Sequence, residues 1–154
     1  MRRAAGVVVV VLLAAGCGGS SSFSLSDASV DASYSCPADS RNAAYEVHAT
    51  IAAHNNTPKS VTVNSVNAVM TVSAVQGTWL QKVGDRYDPG SVTFTPSSVN
   101  AGSTTTLQVT IPSACTRGQA ATGTNYGEYA VSFKVVTTAG RFEISSKNKH
   151  RILA

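Results

Sequence analysis

From residue 43 onward, apolar and polar side chains alternate with a period of two. Tyr45, Val47, Ala49 and Ile51 are interleaved with Glu46, His48 and Thr50, the pattern of a strand with one covered and one wet face. Asn55-Asn56-Thr57-Pro58 ends this run with turn-forming residues. Val61 and Val63 resume it, the phase slips at Ser65-Val66, and Val66, Ala68, Met70 and Val72 carry it on. A β-bulge or a strand that changes sheets would produce such a slip. Val92 and Phe94 suit a short strand, followed by a connector over residues 96–102. Leu107, Val109 and Ile111 alternate with Thr106, Gln108 and Thr110 up to Pro112, which is expected to stop the ladder. Tyr129, Val131, Phe133 and Val135 face one way against Glu128, Ser132 and Lys134, and a turn at Ala139-Gly140 leads to Phe142 and Ile144, forming a closing hairpin.

Two stretches break the pattern. Residues 76–90, bounded by Gly77 and Asp88-Pro89-Gly90, hold Trp79, Leu80, Val83 and Tyr87 without regular spacing, and residues 113–124 form a polar loop. Beyond the N-terminal segment no dozen residues carry an apolar stripe at helical spacing. About seven short strands without helices predict an all-β fold, an antiparallel sandwich.

The N-terminus is of another kind. Arg2 and Arg3 precede an uncharged run from Ala4 to Ala15, which as a helix would rise about 18 Å against a hydrocarbon core of about 30 Å. It reads as a targeting segment. Leu13-Ala14-Ala15-Gly16-Cys17 resembles a bacterial lipobox, with the usual leucine one place early at Leu13. The resemblance implies cleavage before Cys17, acylation of its thiol and anchoring at the extracytoplasmic face of a membrane. An ordinary secretory signal cut near Ala15 or Gly16 is the alternative. The implied organisation is a signal peptide over residues 1–16, a lipidated cysteine with a Gly/Ser-rich tether over 17–42, and a β-sandwich over 43–154. Phe23 and Leu25 alternate with serines and suit a first strand within 23–31, which would shorten the tether.

Assigning Cys17 to lipid leaves Cys36 and Cys115 as the only intramolecular pair, and export makes a disulfide permissible. Such a bridge would stabilise the fold by about 4–5 kcal/mol in the chain-entropy model. A redox role has little support without a Cys-x-x-Cys spacing. From Phe94 through Thr95-Pro96, Ala101-Gly102 and Leu107 to Pro112, and again in the closing hairpin, the chain resembles the immunoglobulin-like or fibronectin-type domains of bacterial surfaces. In an immunoglobulin domain proper the core Trp follows the first Cys by about a dozen residues and the disulfide joins central strands. Here Trp79 comes 43 residues after Cys36, and both cysteines lie near predicted strand ends, which predicts a peripheral staple.

Charge narrows the function classes. The chain holds 12 Lys and Arg against 8 Asp and Glu, a net +4, but Arg2 and Arg3 leave with the signal and lower this to +2. Nucleic acid is not expected as a partner of so weakly charged an exported domain. Lys147, Lys149 and Arg151 cluster around His150, a pattern expected of an exposed edge or frayed terminus that resists edge-to-edge pairing; contact with anionic lipid is the alternative reading.

Reactive constellations are sparse. His48 and His54 share a strand face but stand about 20 Å apart at 3.3 Å per residue, so they cannot share one ion without a bend. His48, His54 and His150 are each expected as solvated residues, copper or zinc binding through them being the alternative. Asp85 and Asp88 are the only calcium candidates; Arg86 intrudes between them, and a tight turn at Asp88-Pro89-Gly90 accounts for them equally well. No Gly-x-Ser-x-Gly elbow or His-Glu-x-x-His pattern is present, and Glu46, Glu128 and Glu143 are predicted to point outward from strands. No catalytic residues and no cofactor are expected.

What remains is the 76–90 loop, where Trp79, Lys82, Arg86 and Tyr87 have the composition of a binding face, unless Trp79 and Leu80 plug one end of the core. The sequence thus predicts a non-enzymatic, membrane-anchored interaction or structural module that meets an envelope protein or a cell-wall polymer. A carbohydrate or small-solute module built on the same loop is the alternative, and an envelope hydrolase stands further off.

Overall fold

A computed structural model describes residues 22–39, 41–90, 92–115 and 125–154. All regular structure among them is β. The strands are β1 (Phe23–Val30), β2 (Ser33–Ser35), β3 (Ala43–Asn55), β4 (Val61–Gln76), β5 (Arg86–Tyr87), β6 (Thr93–Thr95), β7 (Ser98–Val99), β8 (Ser103–Cys115), β9 (Tyr126–Thr137), β10 (Gly140–Ser145) and β11 (His150–Leu153). Seven of these have four residues or more, matching the number expected from the alternation.

One sheet runs β1-β3-β8-β6 and the other β2-β11-β9-β4-β5, with β10 also on β9 and β7 on β4. The order β1-β3-β8-β6, facing β4-β9-β10, reproduces the ABED and CFG sheets of an immunoglobulin-like sandwich. Every pairing is antiparallel except one, β2 with β11, which makes the second sheet mixed.

The inward-facing residues follow from the alternation. Val47, Ala49 and Ile51 on β3 and Leu107, Val109 and Ile111 on β8 pack against Val66, Ala68, Met70 and Val72 on β4 and Tyr129, Val131, Phe133 and Val135 on β9, all buried. The phase slip on β4 is a bulge, because its register against β9 jumps between Val63 and Ser65. Fully burying one such aliphatic or aromatic side chain contributes about 1.5–3 kcal/mol.

Two expectations need correction. Pro112 does not end its strand, for β8 continues to Cys115 with Glu46 opposite Pro112 and Ala43 opposite Cys115. The Pro112 carbonyl accepts the Tyr87 hydroxyl at 3.3 Å, so this residue's backbone faces away from β3. A missing N–H costs no ladder bond there, since β6 has already ended opposite Thr110. The basic C-terminal cluster is likewise no frayed edge. β11 lies between β2 and β9 with His150 buried, while Lys149 and Arg151 each reach Glu128 at 2.9 Å and Lys147 pairs with Asp27.

The segment joining β10 to β11 also covers the free edge of β1. Asn148 donates to the Val30 carbonyl at 2.7 Å and accepts from the Val30 N–H at 3.0 Å, and the Lys147 N–H donates to the Ala28 carbonyl at 2.8 Å. An amide side chain thus replaces a neighbouring strand and closes an edge that would otherwise template pairing with another chain.

The sandwich has two distinct ends. At the N-terminal end Phe23 stands opposite Asn55 and Asn55 opposite Ser103. The Asn55 side chain is buried there and donates to the carbonyls of Lys59, Val99 and Asn100. At the other end Ala43 faces Cys115 and Gln76 faces Tyr126. The Cys36–Cys115 disulfide closes this second end with Cα atoms 5.8 Å apart. It joins the residue after β2 to the last residue of β8, a peripheral staple between the sheets.

Candidate functional site

The disulfide end carries the irregular loop. After β4, Gly77 takes a positive φ of 70°, a conformation that costs glycine little, and the Thr78 N–H donates to Asn125 Oδ1 at 3.2 Å. The loop returns at Gly84 and Asp85, where the Gly84 N–H donates to the Val72 carbonyl and the Val72 N–H to the Asp85 carbonyl, both at 2.9 Å. Residues 77–83 thereby form a loop held at both feet, which folds back onto β9 through Trp79 and Gln81.

Trp79 is half-buried and packs on the core, its indole edge lying against the backbone of Gly127. Gly127 is the residue this approach requires, because a Cβ there would collide with indole carbons and Nε1. Nε1 itself is buried without a hydrogen bond of full geometry, and its polar interaction is with the neighbouring Tyr129 hydroxyl. Beside it, Tyr129 donates its hydroxyl to Gln81 Oε1. Burial raises the Tyr129 pKa, opposed in part by the neighbouring indole. Trp79, Leu80, Gln81 and Tyr129 line a pocket of about 240 Å³ against Cys36 and Cys115. Leu80 and Val83 point into solvent at 70% and 62% exposure, and Val75 at 39%.

Trp79 thus turns inward, as in the alternative in which it plugs one end of the core, whereas Leu80 is exposed. Lys82 is exposed, and its N–H donates to Asp85 Oδ2 at 2.8 Å. Arg86 is exposed on β5, and Tyr87 beside it is half-buried through its contact with Pro112. Asp88 Oδ1 accepts the Gly90 N–H at 3.0 Å, so both candidate calcium carboxylates serve their own turns. His48 lies 3.1 Å from Asp31 and 3.7 Å from Glu46, His54 bridges Ser26 and Thr104 at 2.7 and 2.9 Å, and His150 points inward. Among the described residues no three His, Cys, Asp or Glu side chains gather where they could hold a metal. Cys17 lies outside the described residues. Sequence reasoning had no signal for Gln81 and Gly127, whose importance follows from where the indole rests.

No protein-family model and no curated protein matches the chain. Three solved structures share part of its shape. The ASH / PapD-like domain 7 of human CEP192 covers 83% of this chain and 84% of its own at 13% identity, with a TM-score of 0.35. The Vibrio cholerae VesB protease aligns over 83% of this chain and 32% of its own at 10% identity and 0.30. The CooA pilin subunit from enterotoxigenic Escherichia coli aligns over 84% and 99% at 12% identity and 0.27.

Proposed function

We propose that the chain is a non-enzymatic, extracytoplasmic module, held at a membrane by lipid on Cys17, which works through contact of its disulfide end with another envelope component. One observation carries the reading. Leu80 and Val83 are displayed on a braced loop directly beside an apolar pocket. Isolated exposed apolar residues are ordinary, but a cluster next to a pocket is the composition of a contact surface. A partner would cover Leu80 and Val83. The immunoglobulin-like sandwich suits such a role, presenting loops at the end of a rigid frame.

The sugar-binding alternative draws less support. The indole edge is committed to Gly127 and the Tyr87 hydroxyl to Pro112, which leaves no matched pair of displayed rings.

Capture from solubilised envelope with wild-type protein and with an L80S/V83S variant tests the reading. Both positions are exposed, so the variant folds. Each side chain buried in a contact contributes about 1.5–3 kcal/mol, so recovery of a stoichiometric partner should fall at least about tenfold. Identical recovery by both proteins would refute the contact surface. C17S separately should move the protein out of the membrane fraction; retention there after a carbonate wash would refute the lipid anchor.

A further inference from the structure

The position of the chain's entry into the fold bears on which end meets the membrane. β1 begins at Phe23, and the Ser22 carbonyl accepts the Asn56 N–H at 2.9 Å, which ties the entering chain to the N-terminal end of the sandwich. Five Cα steps separate Ser22 from Cys17, and a fully extended chain covers at most about 17 Å in that distance. β3 has 13 residues, so the two ends of the sandwich stand about 40 Å apart at 3.3 Å per residue. A lipid on Cys17 therefore holds the N-terminal end close to the bilayer, while the disulfide end is carried well beyond the tether's reach.

The charge on the two ends differs in the matching sense. The N-terminal end is made of residues 55–60, 99–103 and 137–141, which contain Lys59 and Arg141 and no Asp or Glu. Both cations are exposed, and the rest of the surface is Asn, Thr, Ser, Pro, Ala and Gly. Toward the disulfide end Asp39, Glu46, Asp85, Asp88 and Glu128 are balanced by Arg41, Lys82, Arg86, Lys149 and Arg151, so that end carries no comparable net positive charge. Each Lys or Arg near an anionic bilayer contributes about 1 kcal/mol of attraction within a Debye length, which is enough to orient a tethered domain although too little to recruit a free one.

We infer that the N-terminal end is a membrane-facing surface, with Lys59 and Arg141 resting on the anionic headgroups of the anchoring bilayer, so that the domain stands upright and displays the Trp79 loop outward. This rests on the lipid-anchor reading above and adds the surface and its orientation. The Leu80 and Val83 side chains then face away from lipid, where a partner can reach them.

Trp79 is the chain's one tryptophan and reports on the disulfide end. Ala101, exposed in the turn before β8, is the matching site at the other end. Full-length acylated protein is reconstituted into phosphatidylglycerol/phosphatidylcholine vesicles that contain a lipid with a nitroxide on its headgroup. Wild-type emission should be nearly unquenched. A101W, which keeps Trp79, should lose the share of emission added by the new indole. This loss should be larger than in pure phosphatidylcholine, and K59A/R141A in the A101W background should erase the difference. Quenching of Trp79 equal to that of the added indole, no quenching of either in protein that floats with the vesicles, or equal quenching in both lipid mixtures would overturn the inference. Failure of the wild-type protein to float would instead refute the anchor itself.

Discussion

Replacing Gly127 with Ala probes the contact on which the loop end is built. A Cβ at Gly127 would stand 2.8 Å from indole Cζ2 and closer still to Cε2 and Nε1, so the ring must tilt outward or β9 must shift. Overpacking of this kind costs about 1–3 kcal/mol. Removal of the ring reverses the sign. In a W79A background the added methyl meets no indole, and a Gly-to-Ala change at an ordinary strand φ gains about 0.5–1 kcal/mol by restricting the unfolded chain. The coupling between the two sites should therefore amount to about 1.5–4 kcal/mol, well above the few tenths found for independent positions. Urea unfolding followed by far-UV circular dichroism gives all four corners of this cycle. A red shift of tryptophan emission in folded G127A reports the ring moving into water. If G127A costs the same with and without Trp79, or leaves the emission unmoved, the packing argument is wrong, and with it the account of how the loop is held.

Two further outcomes follow from the same structure. Reducing the Cys36–Cys115 bridge, which closes a sequence separation of 79, should remove about 4–5 kcal/mol of stability; an unchanged urea midpoint under reducing conditions would show that the sheets are already clamped without it. His150 donates its Nδ1–H to the Asp31 carbonyl at 2.7 Å, and burial lowers its pKa below the ordinary 6.5. The unfolded chain therefore takes up this proton first, so stability is complete above about pH 6.5 and declines as pH falls from there toward the folded pKa. Asp27 and Glu128, lowered chiefly by hydrogen bonds to Lys147 and Lys149, lose their contributions only further down, in the carboxylate range. Urea midpoints measured between pH 7.5 and 5 should decline in wild type and stay level in H150N; a parallel decline in both would assign the effect elsewhere.

Much of the sandwich was legible in the residue order because a strand with one buried face must alternate. Val47, Ile51, Val109 and Phe133 therefore announce both their strands and their place in the core. The phase slip at Ser65-Val66 marked a real bulge for the same reason. Cys36 and Cys115 could be paired once Cys17 was set aside, since pairing within one chain is a matter of counting. The charge of the C-terminal segment, by contrast, misled about its position. Its cations are held by Asp27 and Glu128, far off in sequence, and its strand is completed by residues 33–35 in a parallel pairing that no local pattern encodes.

The sequence by itself determined an all-β sandwich, its core faces and its cystine, because each depends on local periodicity or on residue identity alone. Only the tertiary structure decided that Trp79 turns inward onto Gly127 while Leu80 turns out, that Pro112 lies harmlessly within β8, and that chain entry and the Trp79 loop occupy opposite ends. Those outcomes depend on which backbones approach one another across the sheets, a non-local property that spacing along the chain does not record.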